Sequence, residues 1–255
     1  MRQAASYIGS MLTDDEIDRY ARHLVLKEIG GAGQMKLKAA RIALVGMGGI
    51  GAPAALYLAA AGIGRLGLID HDTVSLSNLQ RQVLYATSDI DRPKVEAAAD
   101  DLKGINPHTE YIAHNAQLTE NNAAEILSAY DLVIDGCDNF PTRLLVNRIC
   151  QDRGVPLVSA ALGRWSGQLA VFDGSPCYQC LVPDVPPDAD TCERVGVVGA
   201  LAGVMGSLAA LEAIKVVTGA GTALKGQLMI FDGLTMQSRV VGLSQDPACP
   251  VCTGH

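Results

Sequence analysis

The sequence has no excess of positive charge. Lysine and arginine number 20 against 27 acidic residues, and the net charge is −7. The summed field therefore repels polyanions, which argues against nucleic acid or an anionic membrane as a partner. A site that binds phosphate groups would therefore need positive groups concentrated at that site.

Apolar segments of the kinds that direct a chain out of the cell or into a membrane are also lacking. The first residues lead into a charged segment without the apolar core of a secretory signal, so we expect a cytoplasmic protein. Residues 195–211 are uncharged but fall short of the roughly 20 apolar residues that span a bilayer. A buried, glycine-containing helix is predicted there.

Strand and helix patterns alternate along most of the 255 residues. Thr13 and Glu16 have the spacing of a helix capping box. From residue 41 the order is strand, glycine loop, helix and strand, which is typical of a Rossmann-like, mostly parallel sheet with helices on both faces. Beyond residue 160 further strand patterns favour an antiparallel extension, at residues 167–172, 227–231 and 236–241.

A glycine-rich loop follows the first strand of this α/β pattern. Its glycines are Gly46, Gly48, Gly49 and Gly51. Glycines let a backbone turn sharply and approach a phosphate, and the next helix offers its N-terminus to negative charge. Asp70 ends the second strand, where it is placed to accept hydrogen bonds from a ribose, although a turn aspartate is the alternative. The loop indicates a nucleotide site and fits a dehydrogenase equally well.

Basic residues near the loop favour ATP over a dinucleotide. Arg81 follows Asp70, and Lys94 opens the next helix. ATP carries about four charges against about two on a dinucleotide pyrophosphate, so convergent cations matter more for ATP. An ordinary solvated face is the alternative. Asp138 follows the apolar strand ending at Asp135, where it could hold Mg²⁺ against the triphosphate; a turn or helix-capping aspartate is the alternative.

Two pairs of cysteines have the spacing of zinc ligands. Cys177 and Cys180 form one Cys-x-x-Cys pair, and Cys249 and Cys252 form the other. Seven cysteines in a chain without an export signal point to metal or thiol chemistry rather than to disulfides. Four thiolates complete a tetrahedral Zn²⁺ site, which would be structural because no position remains for a substrate water. Thioredoxin-like redox activity is the alternative.

The remaining cysteines are of two kinds. Cys137 and Cys150 lie in apolar or helical settings and are predicted core residues. Cys192 lies two residues before Arg194. The positive charge of Arg194 would favour the thiolate form of Cys192, so this cysteine could act as a nucleophile. A plain loop cysteine is the alternative.

Taken together, these residues resemble the MoeB/ThiF adenylyltransferases, relatives of ubiquitin-activating enzymes. The match runs from about Leu12 to Cys252. It rests on the glycine loop, both cysteine pairs and residues 19–22, 70–82, 93–94, 135–139 and 196–199.

The resemblance implies a single domain over residues 1–255. Its parts would be a helical arm (1–40), a Rossmann-like nucleotide-binding part (41–160) and a zinc-containing, partner-binding part (161–255).

The resemblance also implies roles for individual residues. The glycine loop, chiefly Gly49, would pack on ATP, and Asp70 would hold the ribose. Asn78, Arg81 and Lys94 would contact the phosphates, and Asp138 would bind Mg²⁺.

Two residues outside the glycine loop carry further implications. Arg22 corresponds to an arginine that family members lend to a neighbouring active site, which implies a homodimer. Cys192 matches a position that can carry sulfur or thioester chemistry.

The implied reaction is the ATP-dependent adenylation of a ubiquitin-like sulfur-carrier protein. Its C-terminal Gly-Gly carboxylate would be activated with release of pyrophosphate, the carrier being of the MoaD type for molybdopterin or the ThiS type for thiamine. His23 stands where many relatives have glutamine. The rhodanese domain of some relatives does not follow Cys252, so we expect a separate sulfur-donor protein.

Two other functions share part of this pattern. An NAD-dependent oxidoreductase would use the glycine loop and Asp70 but leaves Arg81, Lys94 and the cysteine pairs unexplained. A non-catalytic, zinc-stabilised module that recruits a small protein is the other alternative.

Overall fold

The computed structural model describes residues 12–185 and 196–253, which contain one eight-stranded sheet. Its strands are β1 (Arg41–Val45), β2 (Arg65–Asp70), β3 (Glu110–Asn115), β4 (Leu132–Asp135), β5 (Leu157–Gly163), β6 (Ser166–Phe172), β7 (Gln227–Asp232) and β8 (Gln237–Gly242). Their spatial order is β3-β2-β1-β4-β5-β6-β7-β8.

The first five strands are parallel and the others are antiparallel. β1 pairs with β2 on one side and with β4 on the other, and β3 and β5 lie outside these two. The antiparallel pairs β5–β6, β6–β7 and β7–β8 extend the sheet. The strand order therefore reverses between β1 and β4, which is where an open α/β sheet forms its ligand crevice.

Helices cover both faces of the sheet. In chain order they are α1 (Asp14–Arg19), α2 (Ala21–Leu24), α3 (Gly30–Ala39), α4 (Gly51–Ala61), α5 (Lys94–Ile105), α6 (Ala123–Leu127), α7 (Phe140–Arg153), α8 (Tyr178–Leu181) and α9 (Gly199–Thr218). Alternate strand residues point to opposite faces, so Leu44 joins the core under α4, α5 and α9, while Val45 joins the core under α6 and α7. The predicted fold class is confirmed.

The N-terminal helices are held against this core by buried polar contacts. The predicted capping box is present, because Thr13 and Glu16 each accept a hydrogen bond from the other's backbone. The Tyr20 hydroxyl accepts from Asn106 Nδ2 at 2.8 Å. Gln34 Nε2 donates to the carbonyl of Ala61 at 2.9 Å. These bonds tie α1 and α3 to α4 and α5.

α9 is long and apolar enough to cross a membrane by length and composition alone. In the structure it packs in the core, where Ala202, Met205 and Ala209 are fully buried. The predicted buried helix is therefore present, but it begins and ends later than the uncharged run. It continues past Glu212 because that carboxylate accepts a hydrogen bond from the backbone of Leu224 and pairs with a lysine on the next turn.

Candidate active site

A cleft opens at the carboxyl ends of β1, β2 and β4, where the strand order reverses. Its volume is about 260 Å³. The lining includes most of the predicted nucleotide residues, namely Gly46, Gly48, Gly49, Asp70, Asn78, Arg81, Lys94 and Asp138. Residues as far apart in the chain as Gly46 and Asp138 are thus brought together by the parallel sheet.

The glycine loop has two positions that accept no side chain. Gly46 has φ +87, in the left-handed region, and a Cβ on Gly51 would lie 1.9 Å from the carbonyl oxygen of Gly46. α4 begins at Gly51, and no side-chain hydrogen bond caps its N-terminus. The sharp turn places the backbone of Gly48 and Gly49 along the cleft at the positive end of the α4 dipole, which suits an anion. Gly51 shapes the loop without lining the cleft.

The Asp70 carboxylate ties two loops together at the edge of the cleft. Its Oδ2 accepts from the backbone of Met47 at 2.8 Å, and its Oδ1 accepts from the backbone of Asp72 at 2.9 Å. Each carboxylate oxygen has a second acceptor site, so Asp70 can still bind a ribose hydroxyl. The residue is a turn aspartate and a cleft residue at once.

Lys94 lies at the start of α5 and is 5% exposed. Its Nζ donates to Asp72 Oδ2 at 2.9 Å. Burial alone would raise the pKa of Asp72, but the hydrogen bond and charge of Lys94 lower that pKa below its ordinary value. The sequence analysis missed Asp72. Its position two residues after Asp70, on the same side of an extended segment, was the available signal.

Replacing Lys94 with methionine is expected to reduce nucleotide-dependent turnover about a hundredfold, because a preorganised charge is lost from the cleft. The melting temperature is expected to change little, because Asp72 is exposed enough to be solvated once its partner is gone. Steady-state kinetics and calorimetry check this. Lys103→Met, near the end of the same helix, is the matched control; equal turnover in both variants would contradict the assignment.

Asn78 ends a short 3₁₀ turn (Leu76–Asn78) at the cleft, and Arg81 follows this turn. Arg81 Nη1 donates to the carbonyl of Ser77 at 3.0 Å, and its aliphatic stem lies 3.7 Å from the place of a Cβ on Gly49. Asn78 Oδ1 accepts from the backbone of Ser75 at 3.2 Å. The guanidinium is thereby held beside the glycine loop.

Asp138 lies exposed in the loop between β4 and α7. Within residues 12–185 and 196–253, its carboxylate makes no hydrogen bond or ion pair. The helix cap is Asn139, whose Oδ1 accepts from the backbone of Thr142 at 2.9 Å. α7 begins at Phe140. The capping alternative for Asp138 is therefore wrong, and its oxygens suit a hard cation such as Mg²⁺.

A buried ion pair supports the loop that carries Asp138. Arg143 Nη1 donates to Asp135 Oδ2 at 3.0 Å, and Arg143 Nη2 donates to the carbonyl of Cys137. Both charged side chains are more than nine-tenths buried. The sequence analysis missed Arg143, although a charged residue on the buried side of a helix was a usable signal.

The two cysteine pairs meet in the structure. The four Sγ atoms lie within 4.8 Å of one another, with Cys177 3.6 Å from Cys249 and Cys180 3.3 Å from Cys252. A disulfide is about 2.05 Å long, whereas tetrahedral zinc with bonds of about 2.3 Å separates sulfurs by about 3.8 Å. The cluster therefore has the dimensions and ligand chemistry of a four-sulfur metal site.

The other predicted residues lie elsewhere. Arg22 is exposed on α2 and does not line the cleft of its own chain. Burial raises the pKa of Cys150 to about 12 and that of Cys137 well above its ordinary value, so both are inert core thiols as predicted. Cys192 and Arg194 lie outside the described residues.

The model of the ThiF family matches residues 20–251. The chain belongs to the ThiF family. The sulfur carrier protein adenylyltransferase of Thermus thermophilus is 45% identical over 249 residues, which cover 94% of this chain and 92% of that protein. The SAMP-activating enzyme E1 of Haloferax volcanii is 42% identical, with 93% of this chain and 89% of that protein covered.

A longer relative is also similar. The adenylyltransferase and sulfurtransferase MOCS3 of Mus musculus is 46% identical, and the match covers 94% of this chain but 54% of that protein. The chain thus spans about half the length of that relative. Together these relatives confirm the predicted family and the prediction that the chain is an adenylyltransferase.

Solved structures share the fold. The structure of Escherichia coli MccB with MccA-N7isoASN matches with a TM-score of 0.79 at 22% identity, covering 94% of this chain and 75% of that chain. That of MccB with ATP also has a TM-score of 0.79 at 22% identity, covering 92% and 75%.

Proposed function

We propose that the cleft binds ATP and that the chain adenylates the C-terminal Gly-Gly carboxylate of a ubiquitin-like sulfur-carrier protein. One observation carries the proposal: two cations, Arg81 and Lys94, line one cleft with the glycine loop and with the carboxylate of Asp138, which has no partner among the described residues. A polyphosphate with a divalent ion needs this combination, whereas a dinucleotide does not. The names of the relatives support the carrier as substrate.

The proposed roles follow the geometry. Backbone N–H groups of the glycine loop and α4 would meet phosphate oxygens, and Asp70 would accept from the ribose. Asn78, Arg81 and Lys94 would lie along the phosphates. Asp138 would hold Mg²⁺, which neutralises charge on the triphosphate.

The proposed chemistry needs no general base, because the carrier carboxylate is ionised at neutral pH. A carboxylate oxygen forms a bond to the α-phosphorus as the bond from that phosphorus to the bridging oxygen of the β-phosphate breaks. Pyrophosphate leaves with the electron pair, and acyl-adenylate remains. The residues of the chain act by positioning and by neutralising the leaving charge.

A homodimer with shared sites is part of the proposal. Arg22 is exposed beside Val25 and Leu26, which are 76% and 45% exposed. An apolar surface next to a basic residue that does not reach its own cleft supports a role for Arg22 in the cleft of a second copy.

The carrier is proposed to bind near residues 161–255. Supporting this, the β7–β8 hairpin exposes Leu234, Met236 and Val240, an apolar surface outside the nucleotide cleft. We favour a MoaD-type carrier, then a ThiS-type carrier, with zinc as a structural ion in the cysteine cluster. A separate sulfur donor and a cytoplasmic location complete the proposal.

Carrier-dependent exchange of labelled pyrophosphate into ATP tests the function. We expect exchange with an intact Gly-Gly carrier and Mg²⁺, and none when the last glycine is deleted from the carrier. MoaD-type and ThiS-type carriers are compared in parallel. Cys192→Ala is expected to keep full exchange, because this half-reaction uses no thiol. Tight binding of NAD, or ATP binding without carrier-dependent exchange, would favour the oxidoreductase or the binding module instead.

A further inference from the structure

One face of α7 touches both the cysteine cluster and the nucleotide cleft. Arg143 and Asn147 lie four residues apart on this helix, which places their side chains on the same face. Asn147 is fully buried and Arg143 is 6% exposed. Buried polar side chains are costly unless their partners satisfy them, so the partners show what each residue does.

Asn147 holds the first cysteine pair. Its Oδ1 accepts from the backbone N–H of Tyr178 at 2.9 Å, and its Nδ2 donates to Cys177 Sγ at 3.6 Å. Tyr178 follows Cys177 directly, and its ring packs edge-on against Phe172 with centroids 5.8 Å apart. The position of this turn is therefore set jointly by the cluster and by Asn147.

Arg143 holds the loop that carries Asp138. Besides Asp135 and the carbonyl of Cys137, its guanidinium donates to Ser159 Oγ at 3.1 Å and to the carbonyl of Ala160 at 2.8 Å. The Cys137 carbonyl belongs to the peptide bond that leads into Asp138. A shift of Arg143 would therefore move the residue proposed to bind Mg²⁺.

The two halves of this face also meet each other. Arg143 and Tyr178 both line a second cavity of about 430 Å³ between α7, α8 and β6. The side chains of Arg143 and Tyr178 also share a hydrogen bond. A set of polar contacts thus runs from the cysteine cluster to the cleft, and hydrogen-bond networks of this kind can carry energetic coupling between two sites.

We propose that α7 couples the two sites: metal in the cysteine cluster fixes Asn147 and Tyr178, and Arg143 transmits this order to the loop that carries Asp138. The inference rests on the proposed function for the identity of the cleft ligand. Whichever ligand binds first orders the shared contacts, so the second binds more tightly. Arg143 and Asn147 are positioning residues in this scheme, and neither takes part in the chemistry.

Thermodynamic linkage tests the proposal without any turnover. If bound nucleotide strengthens zinc binding, zinc must strengthen nucleotide binding by the same factor. Zinc affinity of the full chain is measured by competition with a zinc-selective chelator, with and without saturating Mg-ATP, and a protein-free control corrects for zinc bound by ATP. We expect Mg-ATP to tighten zinc binding at least about fivefold in the wild type, the lower end of usual coupling.

Two variants test the route. Arg143→Lys keeps the charge but loses the planar guanidinium that donates to several acceptors. Asn147→Ala removes the hydrogen bonds to Cys177 Sγ and to the backbone N–H of Tyr178. Each is expected to bring the linkage factor close to one while the chain stays folded by circular dichroism. Arg148→Lys and Asp152→Ala, on the outer side of the same helix, are expected to keep the wild-type factor.

The possible failures are distinguishable. A wild-type chain that does not bind Mg-ATP would overturn the proposed function and the coupling with it. A wild-type chain that binds Mg-ATP with a linkage factor of one would overturn the coupling alone. Unchanged linkage in both folded variants would show that α7 is not the route.

Discussion

Replacing Asp138 with asparagine is expected to lower carrier-dependent pyrophosphate exchange about a thousandfold. The change keeps the size of the side chain and removes its charge, so a divalent ion loses its ligand beside the phosphates. Removing a single group that stabilises transition-state charge already costs a hundredfold to about a thousandfold. The exchange rate at saturating ATP and carrier measures the effect.

The fold is expected to survive this substitution. Asn139, and not Asp138, caps α7, and no other described side chain pairs with the Asp138 carboxylate. The melting temperature should therefore stay close to the wild-type value. Asp152→Asn, an exposed aspartate near the other end of α7, is the matched control. Exchange above a tenth of the wild-type rate in Asp138→Asn would remove the metal role.

The double replacement of Cys249 and Cys252 by serine is expected to abolish zinc binding and to lower the melting temperature by about 10 °C or more. Four-sulfur zinc sites contribute several kilocalories per mole to folding, and each kilocalorie shifts the melting temperature of a chain of this size by about 2–4 °C. The cluster joins cysteines 72 residues apart, so its loss also frees a long loop.

Elemental analysis and calorimetry check the cysteine prediction. The wild-type chain should hold one zinc per chain, and a chelator should reproduce the lowered melting temperature of the double variant. Cys192→Ser is the control, because it removes a cysteine that belongs to neither Cys-x-x-Cys pair in the sequence. Zinc retained by the double variant, or a wild-type melting temperature that is insensitive to the chelator, would argue against a structural metal.

The local parts of the site were predictable because short-range chemistry determines them. Gly46 and Gly51 are needed by one tight turn, and the spacing of each cysteine pair suits one metal ion. The alternation of strands and helices predicted the parallel sheet, and a parallel sheet brings Asp70 and Asp138 to one edge. These inferences need only residues that are close in sequence and a fold class.

The parts that were missed depend on contacts between distant elements. Lys94 is buried because Asp72, 22 positions earlier, neutralises it in space. Asp135 is buried because Arg143 on a different element reaches it. Periodicity can place one partner on a buried face, as it does for Arg143 on α7, but it does not identify the distant residue that pairs with it. The end of α9 was misplaced for the same reason, because the backbone of Leu224 satisfies Glu212.

The hydrogen bond between Asp70 and the glycine loop also bears on how fast ATP would enter the cleft. Because the Asp70 carboxylate ties Met47 to the end of β2, we expect the glycine loop to be ordered before any ligand arrives. Little ordering entropy remains to be lost on binding, and no slow closure has to precede it. Association of ATP should therefore be governed by diffusion and by the local field of Arg81 and Lys94.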